Sequence, residues 1–312
     1  MKPTILLTGK TGQLGSELNR LLLRLGEVIA PDSDDLDLRE PDKIRGVMRD
    51  AKPQVVVNAA AYTAVDAAET DEANARAINA EAPQVLAREA QKQGALVVHF
   101  STDYVFDGSK NTPYVESDSP NPLNAYGRTK LAGEEAIRNS GVAHLIFRTS
   151  WVYAMHGRNF LQTILRLATE REELKVVEDQ TGAPTSAKDL AEAATAILKG
   201  IIPATDGSLT FPKISGTYHM TAAGQTNWYE FAKAILEEAT RAPQDLPWLT
   251  SATNGRPIIS SRVLPTSTQA FGSPAHRPAY SVLSNARLLE GFGVTLAHWR
   301  TQLHRCFCSS GC

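Results

Sequence analysis

The chain has 312 residues, 42% of them hydrophobic and 21% charged, a composition that excludes a disordered or fibrous polypeptide. Lys and Arg number 32 against 34 Asp and Glu, a formal net charge of -2, so the basic field that non-specific nucleic-acid binding requires is missing. No stretch nears the ~20 apolar residues of a membrane span, and the apolar run at 4–7 is too short for a signal-peptide core, so a cytoplasmic protein without a membrane partner is expected.

At ~150 residues per domain the length suggests two domains. Residues 4–8 form a short apolar run rich in strand formers, and Leu18, Leu21, Leu22 and Leu25 then recur at helical spacing. The alternation continues with a strand at 27–30, a helix opened by Pro41, a strand at 55–58, an Ala-rich helical region from Glu72 to Gln93, and a strand at 96–100. A helix from about Asn124 to Asn139 and a strand at 144–147 follow. Apolar runs flanked by helices mark strands covered on both faces, hence an α/β, Rossmann-type doubly wound parallel sheet. Beyond about residue 170 the pattern loosens. Helices are expected near 188–198 and 228–238, and turns or loops at 203–207 and 250–255. Residues 1–170, completed by parts of 186–222, are therefore assigned to a dinucleotide-binding domain, and 171–312 to a smaller mixed α/β substrate lobe.

After the first strand comes Gly9-Lys10-Thr11-Gly12-Gln13-Leu14-Gly15. Glycine lets the backbone turn tightly and approach a pyrophosphate, and the following helix offers free N–H groups and its positive end. The spacing alone is weak evidence, but its place between the first strand and first helix is the context dinucleotide binding requires. A P-loop would need glycine at position 4, which is Thr4. Twenty residues past Gly12 lies Asp32, followed by Asp34, Asp35 and Asp37. A carboxylate here accepts ribose hydroxyls and disfavours a 2′-phosphate, whereas Lys10 could reach that phosphate, so the cofactor stays open between NADPH and NADH.

Tyr126 and Lys130 stand four residues apart on the expected helix, on one face. Ser101-Thr102-Asp103 sits at the C-terminal end of the strand at 96–100, where open α/β sheets bind ligands. A phenol titrates near ~10 in water, and a nearby Lys130 cation, reinforced by a nicotinamide, is expected to lower Tyr126 by ~2 to 3 units. His99, inside an apolar strand, fits a core histidine better than a catalyst. The three cysteines, Cys306, Cys308 and Cys312, crowd the end of the chain beside His304. Their spacing lacks the gaps usual in zinc sites, so no metal is assigned and a frayed tail is expected.

The runs 101–108, 113–116 and 122–134, together with 58–66, 147–153, 179–185 and Arg277-Pro278, resemble the extended short-chain dehydrogenase/reductases, and within them the dTDP-4-dehydrorhamnose reductases. The resemblance spans at least residues 4–300. It implies NAD(P)H-dependent reduction at C4 of dTDP-4-dehydro-L-rhamnose, a nucleotide-sugar biosynthetic step, and homodimers occur in some members. By the same resemblance Tyr126 donates a proton, Lys130 holds the ribose, and Thr102, helped by Asp103, hydrogen-bonds the sugar oxygen. Gly12, Gln13 and Leu14 fall on the pyrophosphate turn, Asp32, Asp37 and Leu38 on adenosine contacts, and Ala61, Tyr62 and Thr63 on a cofactor-lining loop, where Tyr62 departs from the smaller residue expected. Trp151 would pack on the deoxysugar, or else in the core. Arg277 would pair with the substrate diphosphate, or else be an exposed loop charge. A dehydratase of the same scaffold needs a glutamate after the Thr-Asp pair, and Tyr104 stands there. An epimerase with tightly held NAD, or a non-catalytic NADP-binding regulatory subunit, are the other readings of this scaffold.

Overall fold

The computed structural model describes residues 2–202, 214–243 and 245–308. The loop expected at 203–207 lies outside the described residues, as does Cys312. At the centre is a parallel sheet whose strands are β1 (Thr4–Thr8), β2 (Glu27–Ile29), β3 (Val55–Asn58), β4 (Leu96–Thr102), β5 (Ala143–Thr149) and β6 (Gly216–His219), in the spatial order β6-β5-β4-β3-β1-β2. Every pairing in it is parallel. The strand order reverses beside β1, so the C-terminal ends of β1 and β3 diverge into a crevice, the usual ligand position in open α/β sheets.

Helices cover both faces, which is why β3 and β4 are buried along their whole length. On one face lie α1 (Gln13–Leu22) and α6 (Ala187–Ile201), sharing a core with Leu7, Val57, Val98 and Phe147. On the other lie α2 (Pro41–Ala51), α3 (72–93) and α4 (Ala125–Asn139), packed on Leu6, Val56, Val97 and Ile146. The helix α3 is not uniform: a π segment, Ala77–Glu81, separates Glu72–Arg76 from Ala82–Gln93.

A second core is built from α5 (Phe160–Ala168), α7 (Trp228–Arg241), α8 (Trp299–Phe307) and the parallel pair of strands Glu173–Val177 and Arg262–Thr266. Two sequence expectations are corrected here. Residues 250–255 are not all loop, because Pro247–Thr253 is a helix opened by its proline and ended by left-handed Asn254, with Leu249 and Ala252 buried in this core. The chain end from His304 to Phe307 is not frayed. It is the last turn of α8, held by buried Leu303 and Phe307 and by a hydrogen bond from Trp248 Nε1 to the Cys306 carbonyl, 3.0 Å. Apolar periodicity in so short a terminal segment is too weak a signal, and the partner residues lie some 60 positions upstream.

Candidate active site

The glycine turn has the shape its spacing implies. Gly9 has φ +78°, and a Cβ there would lie 2.7 Å from the Ala60 nitrogen at the end of β3. A Cβ on Gly15 would run into the Gly9 carbonyl. Gly12 closes the turn by donating to the Gly9 carbonyl, 3.0 Å, and begins α1 without a side-chain cap, so the first N–H groups of α1 remain open to an anion. Leu14 is buried beneath the turn, and Gln13 accepts a hydrogen bond from Asn159 of the second core region, 2.9 Å.

Beside this turn lies a cavity of about 570 Å³ lined by Gly9, Lys10, Asp32, Asp37, Leu38 and Ala61, all expected from the sequence. Arg39 and Lys43 also line it and were missed, because exposed helix-flanking cations carry no sequence signal of a site. The charges are paired within the cavity wall: Lys10 faces Asp32 at 3.6 Å, and Arg39 binds Asp37 at 2.6 Å and holds its carboxyl down to about 2. Tyr62 is fixed by Asn79 of the π segment, whose side chain accepts from the Tyr62 N–H (2.9 Å) and donates to its carbonyl (3.0 Å), while the Tyr62 hydroxyl donates to Asp71 at 3.1 Å. Thr63 is exposed on the same loop.

The Tyr126 helix starts where its cap dictates. Asn124 accepts from the Gly127 N–H at 2.8 Å and donates to the His276 carbonyl at 2.7 Å, tying the start of α4 to the second region of the chain. Tyr126 meets Tyr104 edge to face at 5.9 Å and packs with Tyr62 on Ala68, Ala75 and Ala125. Thr102 and Asp103 lie at the end of β4, both buried, with the Thr102 hydroxyl donating to Asp103 at 3.1 Å. Burial pushes Asp103 up to about 7.

Lys130 by itself does not make the expected lowering of Tyr126. Burial raises the phenol to about 12, opposed by a hydrogen bond with Thr102, and Lys130 is not among the groups that move it. The reason is geometric. Lys130 is 1% exposed and donates to the Phe100 carbonyl at 2.6 Å, with His99 Nε2 at 3.3 Å. Shared helix face does not fix where a long flexible side chain ends.

Trp151 sits just after β5 with φ +47°, a left-handed backbone that is rare for a bulky residue and costs of order 1–3 kcal/mol. Its ring stacks on Trp228, centroids 3.6 Å apart and 7° from parallel, and covers Gly182, where a Cβ would lie 2.5 Å from the indole. Trp228, unrecognised in the sequence, lines a second cavity of about 300 Å³ with Asp66, Phe160, Gln180, Phe271 and Arg277. Arg277 is not a loose loop charge. It reaches across 211 positions to Asp66 at 2.8 Å, and its bond to Tyr104 links this cavity to Tyr126.

A family model described as "RmlD substrate binding domain" matches residues 1–311. The dTDP-4-dehydrorhamnose reductase of Burkholderia thailandensis is 49% identical over 303 residues, 97% of each chain. The chain belongs to the dTDP-4-dehydrorhamnose reductase family. Another member, from Escherichia coli K12, is 43% identical over 305 residues, 96% of each chain. A crystal structure of the Bacillus anthracis dTDP-4-dehydrorhamnose reductase in complex with NADP superposes with a TM-score of 0.85 at 34% identity, covering 98% of this chain and 99% of that one.

Of the residues singled out from the sequence, two sets are brought together. Gly9, Lys10, Asp32, Asp37, Leu38 and Ala61 gather at the switch-point cavity. Thr102 and Asp103 meet at the end of β4, and Tyr104 contacts both Tyr126 and Arg277, while Trp151 contacts Trp228. Among the described residues there is no group of three or more His, Cys, Asp or Glu placed to hold a metal ion, and no helix long and apolar enough to cross a membrane.

Proposed function

We propose that the chain reduces the C4 ketone of dTDP-4-dehydro-L-rhamnose to dTDP-L-rhamnose with NADPH or NADH, and that it does so in the cytoplasm. What supports this is the surroundings of the Tyr126 phenol: it is hydrogen-bonded with Thr102 at the end of β4 and packed edge to face on Tyr104, whose partner Arg277 lines the aromatic cavity. In favour of a cofactor in the first cavity, Gly9 and Gly15 let β1, the turn and α1 pack without a Cβ striking the backbone of Ala60 or Gly9, and α1 begins uncapped beside the cavity. Gly12, Gln13 and Leu14 would hold its pyrophosphate, Asp32, Asp37, Leu38 and Lys10 its adenosine end, Ala61, Tyr62 and Thr63 its middle, and Lys130 its second ribose. When bound, the reduced nicotinamide supplies the hydride.

The rest is the work of side chains. In the substrate complex the single Thr102 proton, given to Asp103 in the protein alone, turns to the C4 oxygen, and Asp103 in its protonated form donates to Thr102 and orients it. Tyr126 gives its proton to that oxygen as negative charge develops there. A phenol raised to about 12 stays protonated at neutral pH and is still a far stronger acid than the alcohol being formed, so no lowering of its pKa is needed in this direction. The stacked Trp151–Trp228 pair, with Trp228 lining the cavity, offers an apolar surface to the deoxysugar, and Arg277 a guanidinium fork to the diphosphate. In this reading residues 1–170, with parts of 186–222, serve the cofactor and 171–312 the sugar nucleotide. The test is Tyr126→Phe, assayed with dTDP-4-dehydro-L-rhamnose and with GDP- and UDP-linked counterparts of the wild type. NAD(P)H affinity is expected to survive and kcat to fall by at least ~10²-fold. A near-normal kcat overturns the role of Tyr126, and activity confined to another base overturns the substrate.

A further inference from the structure

A chain of buried polar groups runs across the sheet behind the site and ends on Lys130. Asn58, at the end of β3, receives two hydrogen bonds on Oδ1, from the Thr8 hydroxyl at 2.7 Å and from the Ala60 N–H at 3.3 Å. Both are donors, so the amide can take one orientation, with Nδ2 directed at His99 Nδ1, 3.1 Å away. A ring nitrogen that accepts carries no proton, which leaves the hydrogen of a neutral His99 on Nε2. That nitrogen lies 3.3 Å from Lys130 Nζ. Lys130 in turn donates to the Phe100 carbonyl at 2.6 Å. Asn58, His99 and Lys130 are each no more than 1% exposed, so water does not stand in for any partner.

We infer that His99 is a positioning residue for Lys130: locked by Asn58 in its Nε2–H tautomer, it presents a donor to the lysine amine and makes the neutral amine, not the ammonium, the form that fits the unliganded site. An ammonium has three donors and no lone pair, so its contact with Nε2–H is donor against donor. A neutral amine accepts from His99, donates to Phe100 and keeps one N–H for a ligand. The inference rests on the proposed role of Lys130 toward the cofactor ribose. Its consequence is that the cofactor binds best when it restores the ammonium, so its affinity falls as pH rises through the lysine pKa. Burial lowers Lys130 to about 8 and lowers His99 well below its ordinary value, in keeping with this. Of the charged groups packed around the pair, Glu134 on α4 alone acts on Lys130, raising it, and its carboxylate is already bound by Arg148 of β5, Arg138 and Ser101. Tyr126, one turn earlier on α4, does not act on it.

The discriminating variant is Asn58→Asp, which is isosteric and reverses the direction of the chain. A carboxylate there accepts from Thr8, Ala60 and His99 Nδ1–H together, leaving Nε2 as an acceptor that welcomes the ammonium. NADPH titrations by nicotinamide fluorescence from pH 6 to 9.5 are expected to show wild-type affinity declining above pH 8, and the decline displaced upward by at least ~1 unit in Asn58→Asp. Superimposable profiles overturn the inference. If the variant does not fold, 15N spectra of histidine-labelled wild type, with His99 assigned by its loss in His99→Gln, decide it: a proton on Nε2 supports the inference and one on Nδ1 overturns it. Lys130→Met separates the two readings. Unchanged NADPH affinity in that variant defeats the role of Lys130, while the tautomer measurement still rules on His99 by itself.

Discussion

Asp103 shows how a residue's surroundings can oppose its charge. Its side chain is 2% exposed, one carboxylate oxygen accepts from Thr102, and the other has no hydrogen-bond partner within bonding distance. Burial therefore raises its pKa to about 7, against ~3.9 in an unfolded chain. Between those values the folded state holds a proton that the unfolded state has released, so stability falls as pH rises through that window and the penalty is complete above pH 7. Asp103→Asn is expected to raise Tm at pH 8, with the gain vanishing by about pH 3, where wild-type Asp103 is protonated in both states. A pH series of thermal melts checks this. Loss of activity in the same variant would fit a carboxylate retained for orienting Thr102 at a cost in stability. Trp151 carries a comparable cost in its backbone, offset by stacking between Trp228 and Gly182.

At the scale of elements, the position of Tyr126 depends on how closely α4 approaches the turn after β4. The helix begins at Ala125 because Asn124 caps it, and Gly127 allows its first turn to press on the Tyr104 carbonyl, where a Cβ would collide. Gly127→Ala must push the helix start away from that turn, carrying Tyr126 away from Thr102. A displacement of ~1 Å costs about 10²-fold in rate in well-oriented sites. The expected outcome is a kcat reduced by about that factor with NAD(P)H affinity little changed, measured by steady-state kinetics beside fluorescence titration. The glycine turn and the start of the helix near Asn124 were legible in the sequence because both are set within four residues. The π segment in α3 was not. It places Asn79 where it can grip both ends of the Tyr62 peptide unit and reach Thr129, contacts made across 17 and 50 positions.

For the whole molecule, the second core is joined to the sheet by side chains far apart in the chain. The Gln302 side-chain carbonyl accepts from the Ser186 N–H at the start of α6, 2.8 Å across 116 positions, and Arg305 binds Asp189. The helix Trp299–Phe307 is thus structural. Leu303 is 1% exposed in this core, and Leu303→Ala is expected to cost about 2–5 kcal/mol of unfolding free energy in urea titrations. A loss below ~0.5 kcal/mol would return the segment to the frayed tail that its sequence suggests.

The linear order of residues determined whatever depends on neighbours: the apolar runs that become buried parallel strands, the glycines that let β1 turn into α1, and a tyrosine and lysine on one helical face. Tertiary structure decided what depends on distant partners. It paired Asp66 with Arg277, stacked Trp151 on Trp228, drew Lys130 toward Phe100 and His99, and raised Tyr126 where a lowered phenol was expected. The physical reason is that backbone conformation is set by local sterics and hydrogen bonds, whereas a buried side chain's charge and direction answer to the groups that folding places around it.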